Sequence, residues 1–262
     1  MNSFKTWVAA ALLSLAFMYG SASAAGFEMS VGLWNQDPNG DISYKALSAL
    51  DKLSVKDDLM YDEDTKVFGR MKIDAPGVFP GIYLMATPMK FSGKGSKNVT
   101  FKFGNVTFSG DVPFSSELEL DHYDIGLYYG IPGLKTVTRG VLNMDLGIDA
   151  RIIDFKARIT GQDSITELVI SESESVTVPI PMLYLGIQVK PFKFLAIEGE
   201  GRGIAYSSGN QYYDIIGRVK LKPLGPVFAA VGYRYEKVKF DEYDVIADVN
   251  FGGLFGEAGV EF

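Results

Sequence analysis

The chain has 262 residues and a formal charge of -7. That acidic balance excludes a nucleic-acid binder, which needs basic patches. The absence of cysteine excludes a disulfide framework and any thiolate metal site. After the first two dozen residues no apolar run reaches the length of a spanning helix, so a membrane crossing would have to be made by strands.

The opening residues read as an export signal. Lys5 supplies a positive start and an apolar run follows from Trp7 to Met18. Ala22-Ser23-Ala24 then gives a small-residue cleavage site, with Ala25 as the mature N-terminus. Removing residues 1–24 takes away one lysine and no acid, which moves the charge from -7 to -8. The composition beyond that point also fits a soluble periplasmic sandwich, so the pattern along the chain decides.

The pattern is period-2 alternation, repeated. Phe27, Met29, Val31 and Leu33 alternate with Glu28, Ser30 and Gly32. Residues 66–74 set Val67, Met71 and Ile73 against Arg70 and Lys72. Residues 81–91 read as a strand, though Pro88 interrupts it. In 121–129, Tyr123, Ile125, Leu127 and Tyr129 oppose His122 and Asp124. Over 138–151, Leu142, Met144, Leu146 and Ile148 oppose Asn143, Asp145, Asp149 and Arg151. Segments 183–190, 194–204, 212–221 and 226–236 repeat the scheme, with Gln188, Glu198, Glu200, Arg202, Asp214, Arg218, Lys220, Arg234 and Glu236 on the polar side. In the last segment, 244–262, Leu254, Ala258, Val260 and Phe262 oppose Glu257 and Glu261. Apolar-out and polar-in strands of this length suit a closed, antiparallel, up-and-down transmembrane β-barrel of ten strands. Eight is the count if two of the weaker segments are misread.

Connection lengths sort by side, as they do in such barrels. Four are short and rich in Pro or Gly: Ala75-Pro76-Gly77-Val78-Phe79-Pro80, Ile131-Pro132-Gly133-Leu134, Pro191-Phe192-Lys193 and Pro223-Leu224-Gly225-Pro226. On the other, extracellular side, long loops are expected near 36–65, 92–115 and 156–175, with short ones at Ser207-Ser208-Gly209-Asn210 and Phe240-Asp241-Glu242-Tyr243. The first long loop should hold a short helix capped by Ser54. The second should hold a hairpin of Val99–Phe103 with Val106–Ser109. Trp34, Tyr83, Tyr129, Phe194, Tyr213 and Phe262 fall near strand ends and suggest interfacial aromatic girdles.

Several stretches are similar to an uncharacterised family of small Gram-negative outer-membrane β-barrel proteins. They are Asp57-Asp58-Leu59, Pro80-Gly81-Ile82-Tyr83-Leu84, Asp121-His122-Tyr123-Asp124-Ile125-Gly126-Leu127-Tyr128-Tyr129, Pro179-Ile180-Pro181-Met182-Leu183-Tyr184 and Gly232-Tyr233-Arg234-Tyr235. None is a catalytic motif. The resemblance implies a fold and an outer-membrane location, and no residue role is carried over from it.

The inward positions form a candidate lumen charge network: Arg70, Asp124, Asp145, Asp149, Arg151, Glu198, Glu200, Arg202, Asp214, Arg218, Arg234, Glu236 and Glu257. Charges confined this closely should pair. A filled lumen makes the protein a non-enzymatic barrel whose surface loops meet ligands or partners. An open path through the network would make it a narrow, weakly cation-preferring channel, since acids outnumber bases. His122, the only histidine, with Asp124 and the nearby Ser115 and Ser116, offers a third reading as a barrel-embedded lipid or peptide hydrolase, but no triad signature joins them. Asp57, Asp58, Asp62, Glu63 and Asp64 read as a solvated acidic loop, because Lys66 stands where a calcium loop needs an oxygen ligand. Ser92-Gly93-Lys94-Gly95-Ser96-Lys97 lacks phosphate-loop spacing. No cofactor or metal is expected. The expected partners are outer-membrane lipids and, through the terminal Phe262, the outer-membrane assembly machinery. The barrel is expected to be a monomer.

Overall fold

A computed structural model describes residues 26–76, 78–206, 209–242 and 244–262. The export segment, residues 1–24, lies outside these residues, as do Gly77, Ser207, Ser208 and Tyr243 of the expected turns.

Fourteen strands follow in order: β1 (Gly26–Tyr44), β2 (Leu53–Ser54), β3 (Asp64–Asp74), β4 (Gly81–Thr87), β5 (Lys90–Gly95), β6 (Phe101–Phe103), β7 (Val106–Phe108), β8 (Phe114–Gly130), β9 (Leu142–Gln162), β10 (Val169–Phe192), β11 (Leu195–Ala205), β12 (Gln211–Leu224), β13 (Val227–Glu242) and β14 (Val245–Glu261). Neighbours pair antiparallel, and β14 returns to β1 with Glu28 opposite Glu261 and Tyr44 opposite Val245. The sheet is therefore closed. Closure leaves no unpaired edge at membrane depth, where lipid offers no hydrogen bonds. β4 and β5 form one stave. Both pair with β8 in a single register, Thr87 with His122 and Lys90 with Glu119. The break between them is Pro88, which has no N–H to give. The Met89 N–H instead reaches the Asp121 carboxylate at 2.9 Å, outside the ladder. Counted this way the wall has ten staves, and each of the ten alternating segments lies on one.

Five strands, β1, β8, β9, β10 and β13, continue well beyond the alternating segment that marks them. β1 runs to Tyr44, so the first long connection begins at 45 rather than 36. The segment expected as a loop over 156–175 is mostly strand: β9 and β10 pair up to Gln162 and Val169, leaving only 163–168 to turn. The connection expected over 92–115 holds strand to Gly95 and then the β6–β7 hairpin, Phe101 opposite Phe108. At the opposite end, the turn expected at Ile131–Leu134 is longer. A four-residue helix, α1 (Leu134–Val137), delays β9 to Leu142.

The reason lies in a change of polarity along the long strands. The inward parity of β9 carries Asp145, Asp149 and Arg151, then Ile153, Ala157 and Ile159. Its outward parity carries Leu146 and Ile148, then Asp154, Lys156 and Arg158. β8 changes at Tyr123: Ile125 and Leu127 face out below it, Glu117 and Glu119 above it, while the inner face passes from Asp124 to Leu120, Leu118 and Phe114. β13 changes after Tyr235. Its outward residues from Val227 to Tyr235, tilted as barrel strands are, span about 23 Å, close to the height of an outer-membrane apolar band. Below the change the barrel is apolar outside and polar inside. Above it the strands obey the rule of a soluble protein.

The upper interior is filled by chain. Residues 45–63 and the β6–β7 hairpin fold into the mouth and bury Leu53, Val55, Leu59, Tyr61, Phe101 and Phe103 against Phe91, Phe114 and Phe251. The loop backbone lies directly on β5, where a Cβ added at Gly93 or Gly95 would stand 2.1 Å from the Leu59 carbonyl oxygen or 1.8 Å from that of Asp58. The helix expected after Ser54 is a turn instead: the Ser54 hydroxyl accepts the Asp57 N–H at 3.1 Å, and the Ser54 carbonyl accepts those of Asp58 and Leu59. The capped element lies earlier, a 3-10 turn over Ala49–Asp51 closed by a Ser48/Asp51 capping box. Burial works against the Asp51 carboxylate, but backbone N–H groups of Lys102, Leu47 and Ser48 outweigh it and hold its pKa below the ordinary range.

Two outcomes test this packing. Gly95→Val should displace residues 53–61 while the barrel stays folded. Trypsin should then cut after Lys52 and Lys56 about tenfold faster, if opening becomes easier by about 1.4 kcal/mol. The pH prediction follows from the depressed Asp51 pKa: its contribution is complete above the unfolded carboxylate range, near 4, and is lost as pH falls through the lower folded value. Amide protection at Leu47, Ser48 and Lys102 should drop in that window, and in Asp51→Ala it should already be low at neutral pH.

Candidate functional site

Within the membrane band the inner face is a stack of ion pairs. At the end bearing the termini, Arg218 reaches Glu28 at 2.7 Å and Glu198 at 2.6 Å and also binds Glu257, which accepts the Ser30 hydroxyl at 2.7 Å. Lys220 lies 2.8 Å from each of Glu28, Glu198 and Glu261. One layer up, Glu200 accepts from Arg70 at 2.6 Å and from Arg202 at 2.8 Å. Lys72 pairs with Asp145 at 2.5 Å. Arg202 lies 3.5 Å from Asp149, and its guanidinium stacks 4.2 Å from the Tyr83 ring centre.

The third layer is the tightest. Arg151 holds Asp124 with two hydrogen bonds, at 2.5 and 2.9 Å, and reaches Asp214 at 2.6 Å. Arg234 binds both oxygens of Asp214, at 2.7 and 3.0 Å, as well as Glu236 at 3.2 Å and the Thr87 hydroxyl at 2.9 Å, and lies 4.5 Å over Trp34. Planar forks facing carboxylates are the geometry in which arginine pairs best. All thirteen residues of the expected network are buried here.

His122 belongs to the same layer. Its Nδ1 lies 3.1 Å from the Leu120 carbonyl oxygen, so Nδ1 donates, and Nε2 accepts from Arg234 at 3.2 Å. Both ring nitrogens are occupied, and no serine or threonine hydroxyl of the described residues bonds to the ring. A triad needs that second nitrogen directed at a nucleophile.

Aromatic residues complete the interior. Trp34 and Tyr83, expected in the girdles, are fully buried inside the barrel. Trp34 shares parity with Glu28 and Ser30, and Tyr83 is inward because its stave keeps one parity through Pro88. Tyr184 and Tyr212 are likewise internal; Tyr212 accepts from Arg151 at 2.8 Å and donates to Glu236. The parity of Asp214 was the available signal for Tyr212. The other four expected girdle residues, Tyr129, Phe194, Tyr213 and Phe262, do face outward. Tyr123, Tyr213, Tyr233 and Tyr235 lie outward where polarity changes, with Tyr213 and Tyr235 stacked at 6.1 Å. Tyr129, Phe192, Phe194 and Phe262 are exposed at the terminal end.

A cavity of about 270 Å³ opens at the terminal end among Lys72, Asp145, Tyr184, Gln188 and Glu200. Arg151, Asp214 and Arg234 do not line it. Those side chains are at most 2% exposed, and the apolar plug lies above them. Among the described residues no group of acids or histidine converges as a metal site.

An apolar outer band, a paired polar interior and full closure define a transmembrane β-barrel, and the chain is an outer-membrane β-barrel protein of the Gram-negative type. No family model matches the chain, and no curated protein matches it by sequence. Solved barrels resemble it distantly. The attachment invasion locus protein of Yersinia pestis, in complex with the heparin analogue sucrose octasulfate, is 10% identical, over 91% of this chain and 99% of that one, at a TM-score of 0.34. Neisserial surface protein A is 11% identical over 92% and 100%, at 0.28. The Pseudomonas putida toluene transporter TodX is 8% identical over 92% and 90%, at 0.29. Likenesses this distant carry neither ligand nor partner to this chain.

Removing one member of the third layer should be costly. Arg151→Ala leaves Asp124 without its bidentate partner and should lower stability by about 3–5 kcal/mol, read as an earlier urea midpoint in detergent. The double variant Asp214→Ala/Arg234→Ala should cost less than the sum of its single changes, because each single change strands a charge that the double removes.

Proposed function

We propose that this protein is a non-enzymatic outer-membrane barrel whose lumen is a rigid filling rather than a passage, and whose strands carry a folded platform beyond the membrane for contact with a partner outside the cell. The observation that carries this reading is the Arg151–Asp214–Arg234 layer beneath the apolar plug. Two successive fillings of opposite polarity occupy one bore. A solute would have to break paired charges in the first and pass an aromatic core in the second, and neither has a cheap intermediate. The extended strands support the second half of the proposal. They continue well past the apolar band and are built there as a soluble sheet, polar outside and packed inside.

Against the hydrolase reading, no nucleophile among the described residues bonds to His122, which is buried in the charge layer. The channel reading keeps the polar cavity at the terminal end, which the charge layers close off.

Conductance in a planar bilayer separates these readings. The refolded mature chain, shown folded by the faster migration of its unboiled band, should give no steady unitary steps. Deleting residues 45–63 and 97–111 alone should leave it silent, because the ion-pair layers remain. Reproducible cation-selective steps from the intact protein would sink the closed-lumen reading.

A further inference from the structure

The wall of the platform is not complete. β10 pairs with β9 along its whole length, from Val169 to Val189. On its other side β11 begins to pair only at Leu183, opposite Gly203, and β11 ends at Ala205, with β12 beginning at Gln211. Among the described residues no strand pairs with 169–182 on that side. β10 thus offers more than ten residues of strand edge above the membrane.

Which backbone groups face that edge follows from the prolines. Pro179 and Pro181 stand opposite Ile152 and Ala150 of β9 without breaking the ladder. A residue with no N–H is tolerated only where that group is not donated to the neighbour. The odd-numbered residues of upper β10 therefore direct their backbone toward the open side. Ser171, Ser173, Ser175 and Thr177 retain their N–H groups there.

The side chains beside the edge define what would fit. Outward positions are hydroxyls. Inward, Val176 is 37% exposed and Val178 and Ile180 are half-buried at the rim of the upper core. Further up, Glu172 accepts from Asn105 and Glu174 from Tyr44, and neither carboxylate has a basic partner among the described residues. We infer that the free upper edge of β10 is a docking site for an extended peptide segment of a partner protein, added antiparallel in continuation of β11, with apolar residues facing Ile180, Val178 and Val176 and basic residues facing Glu174 and Glu172. Strand addition of this kind takes its affinity from the main chain and its selectivity from alternate side chains. The inference rests on the platform reading above and gives the partner its chemistry.

The probe is the end-blocked peptide Val-Thr-Val-Thr-Ile-Ser-Lys-Thr-Lys, whose alternate residues meet Ile180 through Glu172 in turn. Binding to the full mature protein in detergent is followed by fluorescence anisotropy of a labelled copy, and the contact is located by hydrogen exchange. The peptide should bind at least about tenfold more tightly than a scrambled version, with new protection at Ser173, Ser175 and Thr177. N-methylation of its Thr and Ser residues should abolish binding with no change to the protein. Ser173→Pro/Ser175→Pro, whose new prolines share the parity of Pro179 and Pro181, should keep the fast-migrating folded band and lose the peptide. Binding no tighter than the scrambled sequence, or unchanged by N-methylation, overturns the inference. So does protein that dimerises through this edge in sedimentation and becomes monomeric in the double proline variant, which would assign the edge to a second copy. Failure to bind with a silent bilayer removes only the edge proposal; binding together with open-pore conductance removes only the closed lumen.

Discussion

Hydrocarbon cannot accept a hydrogen bond, and most of this structure answers to that fact. Backbone groups at membrane depth must find partners in the sheet, so the sheet closes through β14 and β1. Side chains facing lipid must be apolar, so charges on the same strands turn inward. Ten staves enclose little space, and charges driven into it are far from water. They persist only as pairs, and arginine, with five donors in a plane, satisfies several carboxylates at once. Asp214 shows the consequence: it is shared by Arg151 and Arg234 and lies 3.9 Å from Arg202. The layer is cross-linked from β8 through β9 and β12 to β13, and it braces opposite walls of the barrel.

Where lipid ends, that constraint is released. Tyr123 and Tyr235 mark the level on their strands. Above it the same parity that carried charge carries Ile153, Leu118 and Phe251, and the outer face becomes Glu, Lys, Ser and Thr. One continuous strand thus obeys two opposite burial rules in sequence. Such strands do not fray into loops at the membrane surface, because an apolar core continues above it. Residues 45–63 and the β6–β7 hairpin supply that core, pinned by Asp51 and seated on Gly93 and Gly95.

This change of rule also explains where the structure departs from the sequence pattern. Residues 156–175 contain Ser171, Glu172, Ser173, Glu174 and Ser175, a polar run that resembles a loop. It is strand, because polar residues on both faces are compatible with a sheet bathed by water on one side and tied by Asn105 and Tyr44 on the other. Trp34 and Tyr83 stand near strand ends, where girdle aromatics are expected. They lie inside because parity, not position along the strand, sets direction, and there Arg234 lies over Trp34 and Arg202 over Tyr83.

Local pattern was sufficient to locate the crossings, their order, the closed class of the sheet and the inner face on which Arg151, Asp214 and Glu257 stand, while closure decided ten staves over eight. A strand's two faces are encoded by residues two apart, so this information is local. Pairing within the lumen was not local. Arg218 meets Glu28 across 190 positions and Arg234 meets His122 across 112, and only barrel closure and stagger bring such residues together. The same holds for the plug: Gly95 is suited to its place by a backbone some three dozen residues earlier, and nothing in its own neighbourhood announces it. The open edge of β10 is likewise a property of the assembled wall, since it exists only because β11 stops at Ala205 while β10 and β9 continue.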